Sequence, residues 1–258
     1  MAPLGDLVEK RPLGRSGIET SLLGLGTVKF GRTRGLKYPQ SFSLPSDAEA
    51  QRLLDTARSL GVNLVDTAPA YGASEERLGA LLAGQRDEWV IATKVGEEFD
   101  GMGSNFNFTP EHIAMSVRRS LQRLRTDRLD VALIHSNGDD ERIINDLGAL
   151  DCLADLKAQG LIRAIGLSHK SVAGGQAALA AGADVIMATV NAAYLDEVAL
   201  VAEAHALGCG VLVKKALNSG RAQPASLNAV ADHPGVSSIV VGTLNPEHLA
   251  ENARALRG

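Results

Sequence analysis

Four side chains of the kinds that move protons, Asp66, Tyr71, Lys94 and His135, stand in three short segments of one chain. The segments read Asp66-Thr67-Ala68-Pro69-Ala70-Tyr71-Gly72, Thr93-Lys94-Val95 and Ile134-His135-Ser136, and each closes a short apolar, β-branched run. An acid, a phenol, an amine and an imidazole are the groups from which general acid–base catalysis is assembled. Singly, each has an ordinary structural explanation. Asp66 can cap a turn with Lys94 as its salt-bridge partner, Tyr71 can anchor a loop, and His135 can sit satisfied in a core. Whether they act together depends on the elements that carry them.

The apolar runs read as strands over 22–27, 62–67, 89–95, 129–135, 162–168, 185–191, 210–215 and 238–243. Helical patterns lie between them over 47–59, 75–82, 111–124, 142–158, 197–207 and 247–256. Thr109-Pro110-Glu111 and Asn245-Pro246-Glu247 each pair a capping side chain with proline at the first helical position and an acid in the first turn. One long irregular connection spans 31–46. Strands alternating with helices allow a doubly wound sheet or a (β/α)8 barrel. The doubly wound dinucleotide fold needs G-x-G-x-x-G opening its first helix. Gly24-Leu25-Gly26 has neither the helix nor the third glycine. The expectation is an α/β chain forming a single (β/α)8 TIM-barrel domain over 1–258. Chemistry in such barrels sits at the C-terminal strand ends. Neighbouring strands lie about 5 Å apart, so the four side chains fall within reach of one pocket.

Composition narrows the function classes. The chain has 258 residues, 45% hydrophobic and 22% charged, which suits a packed globular protein and excludes a disordered or fibrous one. A net charge of -4 argues against nucleic-acid or anionic-membrane partners, which need a basic footprint. Two cysteines, Cys152 and Cys209, make no disulfide framework and suit a reducing cytoplasm. No leader-like apolar segment and no membrane-length apolar stretch is written in the sequence. His112, His205 and His233 lack metal-ligand spacing, so no metal is expected. The sequence shows no apolar heptad, and a monomer is the expectation.

With these segments in place, the chain resembles the aldo-keto reductase family, as a short, bacterial-type member without the long C-terminal loop. The resemblance is carried by Gly61-Val62-Asn63-Leu64-Val65-Asp66-Thr67-Ala68, Tyr71-Gly72, Ser74-Glu75 and Leu78-Gly79. Ala92-Thr93-Lys94, the run from Asp130 to His135, Ile165-Gly166-Leu167-Ser168, Val241-Gly242-Thr243 and Glu251-Asn252 continue it in family order. It implies an NAD(P)H-dependent enzyme of the carbonyl reductase or alcohol dehydrogenase type, reducing a small aldehyde or ketone without metal. By that resemblance Tyr71 is the general acid, Lys94 the cation beside it, Asp66 the partner that holds Lys94, and His135 the group that orients the carbonyl oxygen. A tyrosine on its own titrates near about 10, and a neighbouring ammonium favours the phenolate. Larger relatives carry a C-terminal extension over the substrate pocket. A chain stopping at Gly258 is expected to have a more open site and weak discrimination among carbonyl compounds.

The resemblance also places a dinucleotide across the barrel mouth. Thr27 matches a backbone contact, Ser168 a side chain holding the nicotinamide amide, and Leu217 and Ser219 the loop beside the pyrophosphate. Thr243, His248 and Asn252 match the adenosine end. Four positions depart from the usual pattern. His169 replaces asparagine, Met187 glutamine, Lys214 the aromatic that stacks on the nicotinamide, and His248 an arginine that meets the 2′-phosphate. NADPH is the expected cofactor, with NADH possible, because Thr243 and His248 can bind phosphate and no acid stands there to repel it. Lys214 and Lys215 can grip phosphates, or one of them can cap a strand end. Asn191 can supply a missing amide contact. Phe30, Phe99, Phe106 and Phe108 fall in loops at the active face and can line an apolar substrate pocket or pack beneath the loops. Two other classes stay open. One is a nucleotide-sensing regulatory barrel with little turnover, and the other a phosphate-handling aldolase-type barrel.

Overall fold

Short apolar runs buried on both faces form parallel strands, because such strands need cover on each side. In the computed structural model, which describes residues 8–36 and 41–256, eight of them close into a barrel. Strand β1 (Lys10–Pro12) pairs antiparallel with β2 (Glu19–Ser21), and their connection carries Leu13 and Ile18 into the barrel's lower interior. The first barrel strand, β3 (Leu23–Gly26), leads to α1 (Asp47–Ser59), β4 (Leu64–Asp66), α2 (Ser74–Leu81) and β5 (Val90–Val95). A polar antiparallel pair, β6 (Glu97–Phe99) and β7 (Ser104–Phe106), precedes α3 (Pro110–Leu124) and β8 (Leu129–His135). Then follow α4 (Asp140–Asn145), α5 (Ala149–Ala158), β9 (Ile162–Ser168), α6 (Val172–Ala180) and β10 (Val185–Thr189). The chain continues through α7 (Val198–Ala206), β11 (Gly210–Lys214), α8 (Ser226–Ala231), β12 (Val236–Val241) and α9 (Pro246–Ala255). The barrel order is β3-β4-β5-β8-β9-β10-β11-β12, with β12 closing on β3.

Side chains alternate across a strand, and that period organises the interior. Leu64, Val90, Ala92, Val131, Leu133, Ala164, Val185, Met187 and Leu212 point inward and pack as one apolar plug. Continuing the same alternation brings Asp66, Lys94, His135, Thr189 and Lys214, and beyond Gly166 also Ser168, to the upper end of the plug. The outward residues of the strands pack against the helices in a second, larger cluster. Thr109 caps α3 and Asn245 caps α9, each accepting a backbone N–H of the first turn.

Several elements differ from the sequence expectation. The helical pattern over 142–158 is two helices, α4 and α5, because Gly148 adopts φ 62 and turns the backbone out of the helix. The last barrel strand starts and ends two residues earlier than 238–243. Helix α6 carries little periodic signal, since its sequence VAGGQAALA is small and apolar around most of its circumference. The β6–β7 pair is polar and partly exposed, and so lacks an alternating pattern. Among the described residues, no helix is long and apolar enough to cross a membrane.

Gly166 lies on the inner face two residues before Ser168 and pairs with Val185, and a Cβ built there falls 1.6 Å from the Val185 carbonyl oxygen. Gly166→Ala is therefore expected to push β9 from β10 and lower the unfolding free energy by about 3 kcal/mol. Urea unfolding reads this directly, and an unchanged midpoint contradicts the close approach.

Candidate active site

The upper end of the apolar plug holds a buried ion pair. Lys94 Nζ donates to Asp66 Oδ1 at 2.5 Å and to the Thr67 carbonyl at 2.9 Å, with Lys94 1% and Asp66 4% exposed. A charge this deep is tolerated because its partner and a carbonyl replace water. Thr27 fixes the strand end from outside, its backbone N–H and its hydroxyl both donating to the Asp66 carbonyl at 2.9 Å.

Tyr71 sits on a short 3-10 turn, Pro69–Tyr71, that starts directly after β4. Gly72 takes φ 61 there, and a Cβ on Gly31 would stand 2.2 Å from the Tyr71 carbonyl oxygen. The two glycines let the loop seat closely, which aims the phenol over the ion pair. Lys94 Nζ lies 4.7 Å from the ring centroid, and the hydroxyl donates to Asp66 Oδ2 at a long 3.5 Å. The His135 ring meets Tyr71 edge-on, with centroids 6.2 Å apart. The structure thus brings together the four residues that the sequence singles out.

Glu97 joins them unannounced. Its Oε2 lies 2.8 Å from His135 Nδ1, and its Oε1 accepts the Ser104 hydroxyl beside Arg32. Burial pushes the Glu97 carboxyl up, but His135, Ser104 and Arg32 outweigh it and bring the group down to about 2. Burial lowers His135; Lys94 and Lys214 add to that, while Glu97 opposes it. The sequence signal was slight: an acid three residues past Lys94, beyond the strand end.

Across the barrel, Lys214 Nζ donates to Ser168 Oγ at 2.9 Å and to the His169 carbonyl at 2.7 Å. Burial, with the Lys215 charge beside it, pushes Lys214 down to about 7. Neither ring nitrogen of the fully buried His169 has a hydrogen-bond partner, and Nδ1 stands 3.6 Å from Glu197 Oε2. Burial raises the Glu197 carboxyl, against the pull of the Thr189 N–H and Lys214. Asn191 spends its amide on the loop, donating to the Lys215 carbonyl and accepting from Ala193 N–H, which corrects the expectation of a spare amide contact.

A pocket of about 690 Å³ is lined by Asp66, Tyr71, Lys94, His135, Ser168, His169, Met187 and Lys214, with Lys215 at its wall. It adjoins a second cavity of about 430 Å³ through Gly242, which lines both. The second cavity is walled by Lys29, Leu217, Ser219, Thr243, His248, Glu251 and Asn252. Its hydroxyls, amide, imidazole and ammonium are a donor set suited to phosphate and ribose, and its connection to the catalytic pocket suits an extended dinucleotide.

Three expectations need correction. Thr27, expected to make a backbone contact, is fully buried with its backbone N–H donated to the Asp66 carbonyl, and its neighbours Gly26 and Val28 line the pocket instead. An acid does stand at the adenosine end: Glu251 lines the same cavity as His248, one helical turn along α9. The phenylalanines do not line the catalytic pocket. Phe30 and Phe108 are buried in the core, the latter against Gly96. Phe99 stacks under Arg32 at 3.9 Å, and Phe106 is exposed.

Comparison with known proteins agrees with this geometry. The model of the Aldo/keto reductase family matches residues 22–229. The D-threo-aldose 1-dehydrogenase of Pseudomonas sp. is 31% identical over 80% of this chain and 68% of its own length. The NADH-specific methylglyoxal reductase of Escherichia coli is 34% identical over 63% of this chain and 52% of its own. The chain spans about half the length of most curated relatives it matches. A crystal structure from Pseudomonas aeruginosa, assigned to the same reductases, superposes with a TM-score of 0.89 at 49% identity. That superposition covers 96% of this chain and 94% of the other.

The buried His169 makes a pH prediction. Burial, reinforced by Lys214, pushes it down to about 4 from an ordinary 6.5, so it is neutral in the folded protein at pH 7. The unfolded chain binds the additional proton as pH falls from 6.5 to 4, and stability drops through that window. His169→Asn removes this titration, and urea unfolding at neutral and mildly acidic pH is expected to show a smaller acid loss than wild type. Equal losses contradict it.

Proposed function

The chain belongs to the aldo-keto reductase family of NAD(P)H-dependent oxidoreductases, and from that membership we propose that it reduces a small aldehyde or ketone to an alcohol with NADPH. The observation that carries the reading is the buried Lys94–Asp66 pair set beneath the Tyr71 ring at the floor of an open pocket.

A bound nicotinamide supplies the hydride to the carbonyl carbon. The chain's own residues handle the oxygen. The Tyr71 hydroxyl gives its proton to the developing alkoxide, completing the alcohol, and the tyrosinate left behind regains a proton from solvent. Lys94 stabilises that tyrosinate electrostatically, and Asp66 holds the ammonium in place. His135, edge-on to the phenol, orients the substrate oxygen.

Leu217, Ser219, Thr243, His248 and Asn252 hold the phosphate and adenosine parts in this reading, with Lys29 beside them and His248 and Glu251 competing over the ribose 2′ position. Ser168, His169, Met187 and Lys214 form the nicotinamide end. The catalytic pocket wall also includes Lys170, Asn191, Tyr194 and Asn218. Those polar groups favour small, oxygen-rich carbonyl compounds over aromatic ones, in keeping with the aldose and methylglyoxal names of two relatives. One observation favours the regulatory alternative: Lys214 occupies Ser168 where the nicotinamide amide would bind.

Tyr71→Phe separates the two. Carbonyl reduction is expected to fall by about 10²–10⁴-fold in kcat/KM while NADPH affinity stays within about twofold. A wild type that binds NADPH but turns over no carbonyl compound supports the regulatory reading, and a variant losing affinity and rate together indicates a collapsed site.

A further inference from the structure

We propose that Lys214 is a nucleophilic amine that captures small aldehydes as a reversible imine, at the side of the pocket away from Tyr71. The choice of aldehydes rests on the carbonyl-reduction reading; the reactivity of the amine does not.

The placement begins with the strand. Lys214 ends β11 two residues after Leu212, on the same inner face, with Thr189 of β10 as its register partner. Its Nζ does not stay at its own strand end. It reaches past β10 to the end of β9, where it donates to Ser168 Oγ at 2.9 Å and to the His169 carbonyl at 2.7 Å. Two strand spacings are about 10 Å, so the side chain lies across the pocket that it lines.

Both partners are neutral oxygens. Lys94 meets the Asp66 carboxylate at 2.5 Å, whereas Lys214 forms no ion pair among the described residues. A neutral lysine has two N–H bonds and one lone pair. With both N–H bonds given to Ser168 and His169, the lone pair is the one position at nitrogen not committed to the protein. Lys215 stands beside it on a left-handed backbone, φ 58, its carbonyl accepting from the Asn191 amide and the Asn218 N–H. Burial, Lys215 and Lys94 of β5 push Lys214 down to about 7, while Glu197 ahead of α7 and Asp140 of α4 oppose them. His135 of β8 and His169 of β9 feel the Lys214 charge in turn and are themselves lowered. A desolvated lysine next to a second cation is the setting in which an amine attacks carbonyl compounds.

The step needs no co-reactant. The nitrogen lone pair bonds to the carbonyl carbon, the C=O π pair moves onto oxygen, and a proton passes from nitrogen to oxygen, giving a carbinolamine. The C–O bond then breaks as the nitrogen lone pair forms C=N. The departing hydroxide takes the second nitrogen proton and leaves as water. Nothing is oxidised or reduced, and water reverses the sequence. Ser168 and Lys214 belong to the nicotinamide end in the reading above, so the imine and NADPH exclude each other there.

The experiment treats the full chain with propionaldehyde and sodium cyanoborohydride, which reduces an imine to a stable propylamine. Peptide mass mapping reads each lysine's labelling rate against Nα-acetyl-lysine amide in the same tube. At pH 7 Lys214 is expected to label at least about tenfold faster than the standard, and faster than Lys170 and Lys215 of the same pocket. That advantage is expected to shrink as pH rises above about 7, because the standard gains free amine up to about 10.4 while Lys214 has already lost its proton. Saturating NADPH is expected to suppress the labelling. A Lys214 rate no higher than the standard's, or a ratio that does not change with pH, overturns the proposal. Fast labelling that bound NADPH leaves untouched supports the amine and contradicts the placement of the nicotinamide. Should the protein bind no NADPH and reduce no propionaldehyde, the reductase reading fails while the labelling ratio still decides the amine.

Discussion

The pairing of Lys94 with Asp66 is the interaction on which the site depends. An ammonium and a carboxylate this deeply buried are costly apart and compatible only together. Their contact links the ends of β4 and β5, and the chain leaving β4 turns at once into the loop that presents Tyr71. Thr27 fixes the Asp66 backbone from the preceding strand, and Ser74 joins Thr27 and Thr67 to the start of α2. The phenol is therefore held by a rigid strand end and by two glycines that allow close seating, rather than by a free loop.

Much of this was legible from the residues. Short buried runs alternating with helices, without a glycine signature opening the first helix, point to a barrel, and the strand ends carry Asp66, Lys94 and His135 in the alternation that puts every second residue inside. The same period, followed around the barrel, also points to Ser168, Thr189 and Lys214 as one polar layer above an apolar plug. Glu97 and Arg32 were not legible, because the approaches of Arg32 to Glu97 and of Glu97 to His135 cross loops whose path no periodicity dictates. The loop phenylalanines misled for a related reason: an aromatic in a loop reads alike whether it faces a pocket or packs beneath it. Glu251 was available to a closer reading, since a residue three positions after His248 on a helix shares its face.

The polar layer is also an electrostatic balance. On one side Lys94 pairs with Asp66, and the Glu97 carboxylate lies beside His135. On the other, Lys214 is pushed down to about 7 by burial and Lys215, while the Glu197 carboxyl is raised by its own burial. Burial thus weakens the Lys214 charge on the side where a nicotinamide would sit. The departures at His169, Met187 and Lys214 all lie on that side of the pocket.

The central claim is that the two joined cavities form a dinucleotide site feeding this catalytic layer. Titration of the purified protein with NADPH and with NADH, read by nicotinamide fluorescence, tests it most directly. Saturable binding of both is predicted, tighter for NADPH, with Glu251→Gln widening the preference by removing the charge beside His248. Saturable binding of neither nucleotide contradicts the claim.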